Sequence, residues 1–127
     1  MSSSPAVSGS VLIVEDELLL AAEMRAALDQ AGFAVLPITS SAEEAIKLAR
    51  THHPAIALVD IELLGGESGI ELASKLREEL NVPSIFVSGH SDPKTVAASS
   101  KAEPVSWLKK PFGPGSVVAS VQLALKR

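Results

Sequence analysis

Five short runs of aliphatic residues, each followed by a longer segment of helical period, constrain this chain more than any other feature. The runs are Val11-Leu12-Ile13-Val14, Ala34-Val35-Leu36, Ile56-Ala57-Leu58-Val59, Ser84-Ile85-Phe86-Val87 and Val105-Ser106-Trp107-Leu108. Most are continuously apolar rather than alternating, the pattern of a strand covered on both faces. Between them lie helical stripes: Leu20, Met24, Ala27, Leu28 and Ala31; Ala42, Ala45, Ile46 and Ala49; Leu72, Ala73, Leu76 and Leu80; and finally Val117, Val118, Val121, Ala124 and Leu125. Capping boxes Ser41-x-x-Glu44 and Ser68-x-x-Glu71 announce the second and third. The segment 92–102 is the weakest helix, rich in Ser and Ala with Val96 as its one bulky apolar residue and Pro93 placed for a first turn. Five strand–helix units with right-handed crossovers predict one α/β domain, a (βα)5 doubly wound five-stranded parallel sheet of flavodoxin-like order 2-1-3-4-5. Pro37, with no N–H to donate, puts the second strand at the sheet edge.

At 127 residues the chain holds a single domain, expected over residues 10–127 behind a disordered tail, residues 1–9. That tail has neither the positive region nor the apolar region of a signal peptide, and no apolar run is long enough for a membrane span, so a cytoplasmic protein with no membrane contact is expected. Eleven Lys and Arg against fifteen Asp and Glu leave a net charge of −4, which argues against direct binding of nucleic acid. The absence of cysteine excludes a disulfide scaffold, a thiolate metal site and a cysteine nucleophile.

Doubly wound sheets bind ligands beyond the carboxyl ends of their strands. The first strand ends in Glu15-Asp16, the third in Asp60, the fourth in Ser88 and the fifth in Lys109-Lys110. Two carboxylates about 4 Å apart repel by roughly 4 kcal/mol at an effective dielectric of about 20, so this group calls for a cation. Oxygen donors favour Mg²⁺. A metal, an ammonium and a hydroxyl could together surround the oxygens of a transferring phosphoryl group, with Asp60 as the nucleophile.

These residues also carry a resemblance. The motifs Val-Glu-Asp-Glu at 14–17, Val-Asp-Ile-Glu-Leu at 59–63, Val-Ser-Gly-His at 87–90 and Trp-Leu-Lys-Lys-Pro-Phe at 107–112 resemble, in that order, a response-regulator receiver domain of the chemotaxis-regulator type, from Val11 to Leu125. The resemblance implies Asp60 as phosphoacceptor, with Mg²⁺ held by Glu15, Asp16, Asp60 and the backbone carbonyl of Glu62, Glu15 through water. It makes Ser88 the switch hydroxyl and Lys110 the family lysine, leaving Lys109 a solvated neighbour. Trp107 stands at the switch position usually held by Tyr or Phe, and Glu62 and His90 flank the path of the hydrolytic water and are expected to tune acyl-phosphate lifetime. After Asp60 the chain departs from the usual Met-Pro turn, and its glycine, Gly69, falls one position later than in the commonest form. His52 and His53 need no role beyond a helix C-terminus.

The expected function is a phosphorylation-dependent switch of a two-component phosphorelay, catalysing only its own aspartyl phosphorylation and dephosphorylation. Its phosphodonor would be a histidine kinase or phosphotransfer protein, or a small acyl phosphate. The surface of the fourth helix, fifth strand and fifth helix would engage a downstream protein, with a homodimer possible. Rival readings are a small phosphohydrolase working through an aspartyl phosphate, a flavin module, and a receiver used as a phosphorylation-independent interaction surface. The first would need a second Asp where Glu62 stands, and the second a phosphate loop after the first strand. No output domain follows Arg127, so a stand-alone regulator or part of a longer chain is expected.

Overall fold

The computed structural model describes residues 9–62, 68–89 and 100–126. Strands β1 (Ser10–Val14), β2 (Ala34–Val35), β3 (Ile56–Asp60), β4 (Ser84–Ser88) and β5 (Ser106–Lys109) form one parallel sheet in the order β2-β1-β3-β4-β5. Helices α1 (Leu18–Gln30), α2 (Ala42–His52), α3 (Gly69–Leu80) and α4 (Pro114–Leu125) connect and close it; α4 is the fifth helix of the expected pattern. Of the expected fourth helix, Ser100–Ala102 forms a 3₁₀ turn, and 92–99 lie outside the described residues, as do His90, most of the tail and residues 63–67.

Both faces of the sheet are covered, which is why its strands read as continuous apolar runs. Along β1, Leu12 and Val14 face α2 and α3, while Val11 and Ile13 face α1 and α4; all four are fully buried. The α2–α3 side also holds Val59, Leu72, Leu76 and Phe86, and the α1–α4 side Met24, Leu28, Leu58, Ile85 and Val121. Each predicted stripe supplies the buried face of its helix, with Leu20, Leu80 and Leu125 at the margins. β2 is shorter than its apolar run, and Pro37 lies just beyond it; Leu36 and Thr39 still donate to Val11 and Ile13 of β1.

The capping boxes set the second and third helices, since Ser41 Oγ accepts from Glu44 N and Ser68 Oγ from Glu71 N. The first box is only half built. Glu44 does not return to the Ser41 N–H, because its Oε1 takes the Thr39 hydroxyl at 2.6 Å, and the Ser41 N–H turns instead to Thr39 Oγ1. His53 ends α2 in the left-handed conformation, φ 48°.

Candidate functional site

Parallel strands in register deliver their last residues to a single edge. β1 and β3 are neighbours, with Val14 opposite Val59, so Glu15-Asp16 and Asp60 emerge side by side. Asp60 pairs with Val87 across β3 and β4, and Ser88 with Lys109 across β4 and β5. The Lys110 N–H donates to the Ser88 carbonyl at 2.8 Å, fastening the lysine backbone to the end of β4. Glu15, Asp60 and Ser88 are buried, Asp16 and Lys110 half-buried, and Lys109 and Glu62 exposed.

Glu15, Asp16 and Asp60 each offer a carboxylate oxygen, and the three lie within 4.8 Å of one another. Glu15 Oε2 accepts from the Glu17 N–H, yet the buried Oε1 has no hydrogen-bond partner. A buried carboxylate oxygen left unpaired carries a desolvation cost that a cation would remove. Three oxygen donors with one orphaned lone-pair site therefore fit a hard divalent ion. Asp60 Oδ1 accepts from the Glu62 N–H at 3.0 Å, a bond that fixes the carboxylate at the mouth of the next loop.

The ammonium of Lys110 stands over this group. Its Nζ lies 2.7 Å from Glu17 Oε1, 3.5 Å from Glu15 Oε2 and 3.6 Å from Asp60 Oδ2. Burial pushes the Glu15 carboxyl up from 4.5 to about 7, with the Asp60 charge adding and the Glu17 N–H and Lys110 opposing. Asp60 is raised as well, again by burial, against the Glu62 N–H and Lys110. Burial works against the Lys110 ammonium, but the bond to Glu17 and the charges of Glu15 and Asp60 outweigh it, so its pKa is raised.

A carboxyl whose pKa is higher folded than unfolded stabilises the fold below its unfolded value and loses that contribution as pH climbs through the folded one. Glu15 should thus make the metal-free protein less stable between about pH 4.5 and 7, by at most about 3 kcal/mol. The expected result in thermal melts is that Mg²⁺ raises the midpoint more at pH 8 than at pH 5. Glu15→Gln should flatten this part of the pH profile and weaken the Mg²⁺ effect. An unchanged profile in the variant contradicts the assignment.

The structure brings together Glu15, Asp16, Asp60, Ser88 and Lys110, with Glu62 two residues after Asp60 and its N–H on the Asp60 carboxylate. Trp107 lies apart, half-buried on the α2–α3 face, its ring edge-on to Phe86 at 5.5 Å between centroids and 72° between planes. Two residues escaped sequence reasoning. Glu17 is quoted in the first motif but given no role, although a third acid following an acidic pair hints at one. Thr39 carries no such signal: it is buried, bridges to Val14, and accepts the Glu15 N–H on its carbonyl at 2.9 Å, so the half-built capping box helps hold the loop that carries Glu15 and Asp16.

Comparison with known proteins agrees with this geometry. The model of the response regulator receiver domain matches residues 11–122. The chain is 33% identical over 116 residues to the phyllosphere-induced regulator PhyR of Methylorubrum extorquens, covering 91% of this chain and 43% of that protein. It is 34% identical over 118 residues to the KDP operon transcriptional regulatory protein KdpE of Escherichia coli, covering 93% of this chain and 52% of the other. The signal receiver domain of a modulated diguanylate cyclase from Desulfovibrio desulfuricans superposes with a TM-score of 0.86 at 36% identity, covering 93% of this chain and 94% of that one. The chain belongs to the response-regulator receiver domains of two-component systems. It spans about half the length of the curated relatives it matches.

Proposed function

We propose that this receiver is a phosphorylation-dependent switch whose acceptor is Asp60. The observation that carries the reading is the orphaned Glu15 Oε1 beside Asp16, Asp60 and the Lys110 ammonium at one strand edge. An Asp60 carboxylate oxygen attacks phosphorus of a phosphohistidine on a kinase or phosphotransfer protein. The phosphorus–oxygen bond forms as the phosphorus–nitrogen bond breaks, and the departing imidazole takes a proton. Mg²⁺ held by Glu15, Asp16, Asp60 and the carbonyl of Glu62 would neutralise charge gathering on the phosphoryl oxygens. Lys110 answers that charge from the other side, and the Ser88 hydroxyl donates to the product.

Those two contacts draw on β4 and β5, so they bias the surface formed by the segment before β5, β5 itself and α4, where a downstream protein is engaged. A domain of net charge −4 favours a protein at that surface over a nucleic acid. Among the described residues no helix is long and apolar enough to cross a membrane, and we place the switch in the cytoplasm. Glu62 and His90 set the lifetime of the acyl phosphate; exchanging both without altering the dephosphorylation rate counts against that role.

The test is to mix the protein with acetyl phosphate, with Mg²⁺ and with a chelator, while following intact mass and Trp107 fluorescence. One phosphoryl group is expected to appear only with Mg²⁺, accompanied by a fluorescence change. No Mg²⁺-dependent phosphoryl mass overturns the proposal.

A further inference from the structure

The shortest contact of Lys110 is not with a buried member of the site. Its 2.7 Å bond goes to Glu17, whose side chain is 62% exposed, while Glu15 and Asp60 lie at 3.5 and 3.6 Å with side chains 0% and 6% exposed. An ammonium has three donors and no acceptor, and here it faces three carboxylates at once. Its position between them is set by their competition. Once Asp60 carries a phosphoryl group, the charge that needs the ammonium sits beyond the Asp60 oxygen, and any hold by Glu17 opposes the shift.

We propose that Glu17 is a positioning residue, a latch that holds Lys110 toward solvent in the resting state and must release it for the phosphoryl group on Asp60. The inference rests on the switch reading given above. Glu17 is built for the part. As the residue preceding α1 it sends its backbone N–H to Glu15 Oε2, which fixes its backbone beside the site, and leaves its side chain to reach Lys110. A latch has to be weak, and an exposed ion pair of this kind holds by a factor of about five at most. The buried Glu15 could not serve, because a carboxylate with no access to water has nowhere to go when the lysine leaves.

Two variants separate a latch from a simple charge effect. Glu17→Gln removes the charge, and Glu17→Asp keeps it on a shorter side chain; both leave the backbone N–H in place. The full chain with Mg²⁺ and acetyl phosphate is followed by intact mass, together with Mg²⁺ affinity from Trp107 fluorescence and the NMR signal of the Lys110 ammonium in the unphosphorylated protein. Both variants are expected to take up phosphoryl groups about two- to fivefold faster, to leave Mg²⁺ affinity within about twofold, and to speed hydrogen exchange of the Lys110 ammonium. Faster uptake in Glu17→Gln alone, with Glu17→Asp like wild type, would mean that only charge repulsion of the donor is at work, and overturns the latch. So do unchanged rates in both variants, or a fall in Mg²⁺ affinity parallel to the rate, which would make Glu17 a servant of the metal. Wild-type protein that takes up no phosphoryl group overturns the switch reading itself, and the latch with it.

Discussion

Asp60→Asn, mixed with Mg²⁺ and acetyl phosphate, is expected to gain no phosphoryl mass and show no fluorescence response under conditions where wild type gains one group. The amide keeps the shape and can still accept the Glu62 N–H through its carbonyl oxygen, so the loop start should survive. What is lost is the anionic oxygen: an amide is too poor a nucleophile to attack phosphorus, and uptake falls to background. The variant also removes one of three clustered carboxylates, which relieves repulsion inside a buried group. Its metal-free melting temperature should therefore equal or exceed that of wild type. A variant that is stable, folded and still phosphorylated would place the acceptor elsewhere and end the assignment.

The second large effect is expected at Gly69, where α3 begins. A Cβ there would come 2.0 Å from the Asp60 carbonyl oxygen and 2.8 Å from both the Asp60 carbonyl carbon and Ile61 Cα. Nothing in that contact is a flexible side chain; it is backbone on backbone, held by the Gly69 N–H on the Ile61 carbonyl and by the bridge between Glu62 and Ser68. Gly69→Ala must push α3 off the end of β3, at a cost of about 3 kcal/mol or more in urea unfolding, and it displaces Asp60 as it does so. Phosphoryl uptake should fall with it. Gly115→Ala in α4 is the contrast, since its Cβ would meet no atom within 4 Å and the helix gains a better former, so stability should hold or rise slightly. Equal stability of the two variants would show that α3 is not pressed onto the end of β3.

The strands and their order were legible because burial on both faces leaves a plain mark, a continuous apolar run, and because crossovers have a fixed hand. The residues Glu15, Asp16, Asp60, Ser88 and Lys110 were legible for a related reason: in a parallel sheet the residue after each strand goes to the same edge. The Glu17–Lys110 bond had no such mark, since it depends on the reach of an exposed side chain to a residue 93 positions away. Gly69 was marked only as a family glycine displaced by one position; the physical need for it appears when the helix is backed against the Asp60 carbonyl. Thr39 was hidden because the half-built capping box looks, in sequence, like a whole one. The weak helix expected at 92–102 and the partners of His90 fall mostly outside the described residues.

The contacts of Lys110 join a residue near the start of the chain, one at its middle and one near its end, with 95 positions separating Lys110 from Glu15. Loop closure over such a span comes late in folding. A chain emerging from the ribosome can present Glu15, Asp16 and Asp60 as soon as β1 and β3 pair, but it has no ammonium to set against them until β5 docks. If the switch reading given above holds, the ammonium joins the three carboxylates only when β5 takes its place beside β4, so competence for phosphoryl transfer waits on the far edge of the sheet.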